Sequence, residues 1–98
     1  IYGRRMFSWD VKKAKINYDK HGVAFKEAAT IFADPAGLDW EDPGHSREES
    51  RHKRLGRSVA GRILLIVYTV RRMPDDQETI RIISGRQASR KERRAYAG

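Results

Sequence analysis

Five arginines stand on or at the ends of three segments whose residue patterns are those of β-strands. A guanidinium group stays charged at any ordinary pH and offers paired N–H donors that match the oxygens of a phosphate group. If the three segments pair as neighbouring strands, the arginines gather over one face of the sheet and can bind phosphate there. They are Arg51, Arg62, Arg71, Arg81 and Arg86.

Guanidinium groups gathered in this way suit the cleavage of RNA without a metal ion. In that reaction the ribose 2′-OH attacks the adjacent phosphorus, and the enzyme must stabilise the negative charge that the phosphorane gains. A base must also remove the 2′ proton, and an acid must protonate the leaving 5′ oxygen. The side chains available for these two roles are Glu49, His45, His21 and Lys20.

Structural roles compete with these chemical ones. His21 precedes Gly22 and would meet the last carbonyls of a helix. His45 would shape a turn, and Glu49 would pair with Arg51. Runs of charge are usually solvated faces, and aromatic residues in strands are usually core residues rather than platforms for bases. The aromatic residues concerned are Trp9, Trp40 and Tyr68.

The sequence lacks the ligand patterns of a metal site. It has no cysteine and three histidines, with no HExxH motif and no close carboxylate cluster opposite a histidine. A glycine-rich phosphate loop and a GxSxG elbow are also missing, which argues against nucleotide hydrolysis and esterase chemistry. We therefore expect neither a metal ion nor a cofactor.

The net charge of +8, from 21 Lys and Arg against 13 Asp and Glu, favours a polyanionic partner. Between positions 81 and 94 there are six basic residues and one acidic residue, so the excess is concentrated there. Nucleic acid, an acidic protein and an anionic membrane surface all fit this cluster.

A chain of 98 residues, 39% of them apolar, suffices for one hydrophobic core. We expect a single domain over residues 6–98, with residues 1–5 as an N-terminal extension or an expression remnant. The longest apolar run, at 63–68, is six residues, against about 20 for a membrane span. Because the start has no secretory pattern and the chain has no cysteine, we expect a cytoplasmic protein without membrane contact.

The N-terminal residues predict a short strand followed by a helix. Phe7 and Trp9 alternate with a serine, as in a strand with one buried face. Asp10 is a good N-cap for a helix over residues 11–21, and Gly22 supplies its left-handed stop. A second helix should follow at once and end before Pro35. Its apolar stripe is Phe25, Ala28, Ala29 and Phe32.

The remaining residues predict an antiparallel sheet and a final helix. Strands are expected at 38–41, 51–58, 62–71 and 79–84, the last two strongly apolar. A capping box formed by Ser89 and Glu92 would then open a short basic helix. The order predicts an α+β fold with two N-terminal helices, an antiparallel β-sheet and a short C-terminal helix, the helices lying on one sheet face.

Short motifs along nearly the whole chain resemble the BrnT family of bacterial toxins. Their order and spacing, continued by the basic tail up to Tyr96, make coincidence improbable. The motifs are Phe7-Ser-Trp-Asp10, Lys20-His-Gly-Val23, Phe25-Lys-Glu-Ala28, His45-Ser46, Arg51, Gly56-Arg57-Ser58, Gly61-Arg62 and Ile80-Arg-Ile-Ile-Ser-Gly-Arg86.

The resemblance implies a RelE-like fold and a ribonuclease that arrests translation. It also implies a cognate BrnA antitoxin with a dimeric ribbon-helix-helix domain, which suggests a 2:2 complex. Operator DNA would be bound only through that antitoxin. The sequence departs from the family pattern at Ala24, where an N-cap is usual, and at Gln87, where a second arginine is usual. Residues 51–58 are also more basic than the family pattern.

These observations together predict a metal-independent endoribonuclease. Arg51, Arg71 and Arg86 would stabilise the phosphate, and Glu49 or a histidine would move protons. Attraction of RNA would come from a second set of basic residues, namely Lys53, Arg62, Arg81, Arg90 and Arg94. The alternative is a protein of the same fold that binds nucleic acid or the antitoxin without cleaving RNA.

Overall fold

The computed structural model describes residues 5–43, 50–75 and 77–98, which form a five-stranded sheet and three α-helices. The α+β class predicted from the sequence is confirmed. None of the helices in these residues is long and apolar enough to cross a membrane. In chain order the elements are β1 (Arg5–Ser8), α1 (Val11–His21), α2 (Phe25–Thr30), a 3₁₀ turn (Ile31–Ala33), β2 (Leu38–Glu41), β3 (Arg51–Arg57), β4 (Ile63–Arg72), β5 (Glu78–Gln87) and α3 (Arg90–Ala97).

Helix α1 begins and ends where its capping residues predict. The Asp10 carboxylate accepts hydrogen bonds from the backbone N–H groups of Lys12 (2.8 Å) and Lys13 (3.1 Å). Gly22, with φ of 68°, closes the helix in the left-handed conformation and donates its N–H to the Tyr18 carbonyl. Both bounds of α1 were therefore readable from residue types alone.

Helix α2 is shorter than its apolar stripe predicts, because regular α-helix stops at Thr30. The chain continues as a 3₁₀ turn that buries Ile31 and packs Phe32 against the core. The Thr30 hydroxyl donates to the Glu27 carbonyl (2.6 Å) and accepts from the Val59 N–H (3.0 Å). Because a 3₁₀ turn also aligns residues three apart, the apolar stripe survives the change of helix type.

The strands are ordered β1-β5-β4-β3-β2 in the sheet. Strands β2 to β5 pair antiparallel, as predicted, whereas β1 is parallel to β5. The chain leaves β1 at one edge, passes through α1 and α2, and returns as β2 at the other edge. Residue patterns report burial rather than the direction of pairing, so the parallel contact was not predicted.

Cross-strand partners point to the same side of a sheet, so the register assigns every paired strand residue to one of two faces. We call the side covered by α1 and α2 the helix face. Its buried cluster consists of Val23, Phe25, Ala28, Ile31, Leu64, Ile66 and Ile82. We call the other side the open face. Its centre is formed by Arg51, Thr69 and Arg81, which are direct partners across β3, β4 and β5.

Helix α3 packs on one end of the open face instead of beside α1 and α2. Ala88 is buried together with Leu55 and Leu65, and Tyr96 of α3 packs against this cluster. The expectation that all helices lie on one sheet face is therefore wrong for α3. A helix of two turns can cover either face, and its side is decided by the point at which the chain leaves β5.

A β-bulge in β5 controls which side chains reach the open face. Val67 pairs with Ser84, but the next residue, Tyr68, pairs with Ile82, so Ile83 is an extra residue. Arg81 and Arg86 are five residues apart and would lie on opposite faces of a regular strand. The bulge brings both to the open face and keeps Ile82 in the core.

The edge of β5 beyond β1 is completed by a side chain of α1. The register of β1 reaches only Arg81 on β5. Further along, the buried side-chain amide of Asn17 donates to the Gly85 carbonyl (2.8 Å) and accepts from the Gly85 N–H (3.1 Å). The same amide donates to the Val23 carbonyl (3.1 Å). One asparagine thus supplies the hydrogen bonds that a neighbouring strand would supply.

Arg54 explains how a strand as polar as β3 can lie inside the sheet. Its side chain is buried on the helix face and forms an ion pair with Asp39 of β2. The guanidinium also donates to the carbonyls of Ile31 (3.1 Å), which begins the 3₁₀ turn, and Asp34 (2.6 Å), which follows it. A buried charge is tolerated where each of its nitrogens has a hydrogen-bond partner in this way. Arg54 therefore ties the turn after α2 to the sheet.

Candidate functional site

The register keeps the acidic residues of the described strands off the open face, although three strand arginines share the helix face with them. Within the described strands, the acidic residues Asp39, Glu41 and Glu78 pair with residues of the helix face. The open face receives six basic residues and no acidic one from the same strands. These six are Arg51, Lys53 and Arg57 on β3, Arg71 on β4, and Arg81 and Arg86 on β5.

Three of these arginines surround one threonine. Thr69 lies opposite Arg51 on one side and Arg81 on the other, and Arg71 follows two residues later on β4. Thr69 is only 4% exposed although it faces away from the helices. The row continues to Ser8 of β1, the partner of Arg81. Arg51, Arg71 and Arg81 are thus rooted around the centre of the open face, whereas the sequence analysis placed Arg81 among the residues that attract RNA and Arg86 at the phosphate.

The neighbouring row carries a lysine and an exposed tryptophan. Trp40 of β2 pairs with Lys53, which pairs with Val67, which in turn pairs with Ser84. Trp40 is 42% exposed and is therefore not the core residue that the sequence favoured. Trp9 and Tyr68 do pack in the core, against Phe25 and Phe32 respectively. This row adds a cation and an aromatic surface to the open face.

Arg86 is held by an acidic residue of α3. Its two terminal nitrogens donate to the two oxygens of Glu92, at 2.8 and 2.9 Å. Glu92 also accepts from the Ser89 N–H, so the predicted capping box is present. The hydrogen bonds from Arg86 lower the pKa of Glu92 to about 2, and Glu92 raises the pKa of Arg86. Arg86 therefore anchors α3 to the sheet while part of its guanidinium stays exposed.

Replacing Glu92 with glutamine should change how stability depends on pH. The pKa of Glu92 is lower in the folded protein than its ordinary value of 4.5. Its ion pair therefore stabilises the fold above about pH 4.5, and this contribution is lost as the pH falls toward 2. We expect the native protein to lose more unfolding free energy than E92Q between about pH 6 and pH 3, in urea titrations. Equal losses would mean that the ion pair contributes no stability.

Arg62 lies apart from the open-face arginines. It precedes β4 and donates to both carboxylate oxygens of Glu27 on α2, and to the Gly22 carbonyl (3.1 Å). The hydrogen bonds from Arg62 and Ser58 hold the pKa of Glu27 below its ordinary value. Arg62 thus links α1 and α2 to the β3–β4 turn, and the structure does not bring it together with Arg51.

The candidate acid–base residues fall into two groups. Lys20 and His21 end α1 and line a pocket of about 230 Å³ with Ile83 and Ser84. They therefore stand beside the edge of β5, at the end of α1. His45 and Glu49 lie outside the described residues. Within the described ranges, no group of three His, Asp or Glu side chains is placed to hold a metal ion.

The last basic residues lie on α3. Arg90 and Arg94 are exposed on this helix, which covers the end of the open face near Leu55 and Leu65. Arg57 of β3 lies at the same end of the open face, and its guanidinium lies over the Tyr96 ring at 5.8 Å from the ring centroid. These arginines extend the positive surface without joining the central cluster around Thr69.

The family model described as "Ribonuclease toxin, BrnT, of type II toxin-antitoxin system" matches residues 9–92. This chain belongs to the BrnT family. The match includes every basic residue of the open face in β3, β4 and β5. The BrnT resemblance expected from the short motifs is confirmed, and so is the class of ribonuclease toxin. Membership of a type II system also implies an RNA substrate and an antitoxin partner.

A solved BrnT structure has the same fold. It is the 1.1 Å crystal structure of the ribonuclease toxin BrnT from Brucella abortus. The superposition has a TM-score of 0.59 at 18% sequence identity and covers 88% of this chain and 97% of the Brucella chain. No curated protein in the comparison matches the sequence significantly. At this identity the Brucella structure supports the BrnT fold alone.

Proposed function

We propose that this protein is an endoribonuclease that binds the RNA backbone on the open face and cleaves it without a metal ion. The observation that carries the proposal is the composition of the open face, which receives six cations and no acid from the described strands. Positive potential on a face that helices α1 and α2 leave bare favours a polyanion. The proposed toxin domain spans residues 6–98 and includes all these residues.

The central arginines are the proposed phosphate-binding groups. Arg51, Arg71 and Arg81 approach one region from three strands, so they can stabilise charge that develops on a phosphorane. Lys53 would attract the RNA backbone on either side of the bound phosphate, as would Arg90 and Arg94 on α3. Arg86 stays a proposed phosphate-binding group, and its terminal nitrogens also bind Glu92.

Proton transfer is proposed for residues at the border of the open face. Lys20 and His21 are the candidates within the described residues, and they lie next to Ser84 on β5. Glu49 directly precedes the segment that leads into Arg51 and remains a proposed base, and His45 a proposed acid or base. A base and an acid on opposite sides of the bound phosphate would serve the attacking 2′-OH and the leaving 5′ oxygen.

The mechanism predicts that cleavage persists in EDTA. Purified protein incubated with RNA in excess EDTA should give the same rate as with Mg²⁺, and the products should end in 2′,3′-cyclic phosphate or 3′-phosphate, because the 2′-OH is the nucleophile. An Arg51→Ala Arg81→Ala double variant, purified identically, controls for a contaminating nuclease. Loss of cleavage in EDTA with recovery in Mg²⁺ would rule out this mechanism.

The alternative is a BrnT-fold protein that binds nucleic acid or the antitoxin without cleavage. Gln87, where the family pattern has a second arginine, bears on the form of this alternative that has lost cleavage. Gln87 pairs with Leu64 and thus belongs to the helix face. An arginine at this position would not point to the cluster around Thr69, so the substitution leaves the proposed phosphate-binding groups in place.

The proposed partner is a BrnA-like antitoxin with a ribbon-helix-helix domain, in a 2:2 complex that binds operator DNA only through the antitoxin. An acidic segment laid over the open face would pair with its arginines and exclude RNA. Released in the cytoplasm, the toxin would cut RNA and arrest translation, in keeping with a RelE-like fold. Light scattering of the co-expressed pair measures the stoichiometry, and a 1:1 mass would contradict it.

A further inference from the structure

A buried hydroxyl at the centre of the open face has no hydrogen-bond partner among the described residues. The Oγ1 atom of Thr69 is shielded from solvent and forms no hydrogen bond within the described part of the chain. A buried hydroxyl without a partner destabilises the folded state. Valine has the same shape, favours β-strands and carries no hydroxyl, so it would avoid this cost. The position therefore carries a polar group that forms no hydrogen bond in the described part of the fold.

The surroundings of this hydroxyl are cationic on both sides. Arg51 on β3 and Arg81 on β5 are the direct cross-strand partners of Thr69 on β4. Both belong to the open face and both are half-buried. The distance between β3 and β5 is two strand spacings, about 10 Å. Two long side chains rooted on either side can thus converge on an anion held above β4.

We propose that Arg51, Thr69 and Arg81 form a subsite for one phosphodiester group of RNA. The hydroxyl of Thr69 donates to a non-bridging oxygen, and the two guanidinium groups bind the same phosphate from either side. Thr69 is then a positioning residue that fixes the height of the phosphate over the sheet. The proposal rests on the proposed function only for the identity of the ligand.

The geometry favours phosphate over a carboxylate of a protein partner. A phosphate group is tetrahedral and presents its oxygens in several directions, so it can accept from two flanking cations and from a hydroxyl beneath it. A carboxylate is planar and is matched by a single paired guanidinium. Three donors arranged on three neighbouring strands therefore suit the tetrahedral anion.

The test compares Thr69→Val with Thr69→Ser and with a matched control, Thr79→Val. Thr79 lies on the same face, opposite Arg71, and outside the proposed subsite. Binding is measured by titration with an RNA oligonucleotide whose 2′-OH groups are methylated, so that no variant can cleave it. Thermal unfolding is measured on the same samples.

We expect T69V to be at least as stable as the native protein and to bind the oligonucleotide about tenfold more weakly, the scale for one hydrogen bond to a charged group. T69S should recover most of the affinity, and T79V should bind like the native protein. Unchanged affinity in T69V would overturn the subsite. So would a marked fall in the stability of T69V, which would give the hydroxyl a structural role, or an equal loss of affinity in T79V.

This experiment separates the subsite from the proposed function. If T69V weakens binding but no variant cleaves unmodified RNA, the subsite stands and the endoribonuclease proposal fails. If the native protein cleaves RNA and T69V binds normally, the subsite fails and the endoribonuclease proposal stands.

Discussion

Replacing Arg51 with alanine should lower the single-turnover rate of RNA cleavage by about 100-fold, the scale for one preorganised group that stabilises transition-state charge. Arg51 lies directly opposite Thr69 on the open face and shares this region with Arg71 and Arg81. Removing it takes away one of the charges that would face the phosphorane. The rate is measured with enzyme in excess over a labelled RNA, so that product release does not contribute.

Arg57 provides the matched control for this experiment. It lies on the same strand and the same face as Arg51 and has the same charge, but its guanidinium lies over Tyr96 at the end covered by α3. Arg57→Ala should therefore change the rate by less than about threefold, because it removes only general attraction. Arg90→Ala and Arg94→Ala should behave like Arg57→Ala. Similar losses at Arg51 and Arg57 would mean that the open face attracts RNA without a defined catalytic centre.

Replacing Asn17 with alanine should reduce the free energy of unfolding by about 3 kcal/mol, or about 1 kcal/mol for each hydrogen bond lost. The side chain makes two hydrogen bonds with Gly85 and one with Val23, all of them buried. Alanine would leave a backbone N–H and two carbonyls without partners. Urea titration followed by circular dichroism measures the loss, and hydrogen exchange at the Gly85 amide should become faster.

Asp19→Ala on the same helix is the control for Asn17→Ala. Asp19 pairs with Lys15 at the surface, where both side chains are mostly exposed. Such a pair contributes about 0.5 kcal/mol at most. If Asn17→Ala cost no more than Asp19→Ala, the edge of β5 would not depend on the asparagine amide.

Much of the fold was predictable because its helix ends are set by local chemistry. The cap at Asp10, the left-handed Gly22 and the capping box of Ser89 with Glu92 all occur as predicted. Helix α2 likewise lacks a side-chain cap at Ala24, as its residue type implies. The parallel pairing of β1 and the side chosen by α3 were not predictable, since both depend on contacts between distant parts of the chain.

The candidate site was predictable in composition but not in arrangement. Regular alternation along a strand predicts that Arg81 and Arg86, five residues apart, lie on opposite faces. They lie on the same face because the bulge at Ile83 shifts the register. Arg62 has the same charge as the other four arginines, and only the tertiary structure shows that Glu27 engages it. Thr69 cannot be identified as a site residue from the sequence, because threonine is common in β-strands and only the structure shows that its hydroxyl lacks a hydrogen bond in the described residues.

The position of α3 sets the direction in which a polymer can cross the protein. The helix covers the end of the sheet near Leu55 and Leu65, so the bare length of β4 runs from Val67 to Arg71. These positions span about 13 Å along the strand, whereas the five strands together measure about 19 Å across. The exposed area is therefore larger across the strands than along them. A single RNA strand would lie across the β-strands, with α3 bordering it on one side.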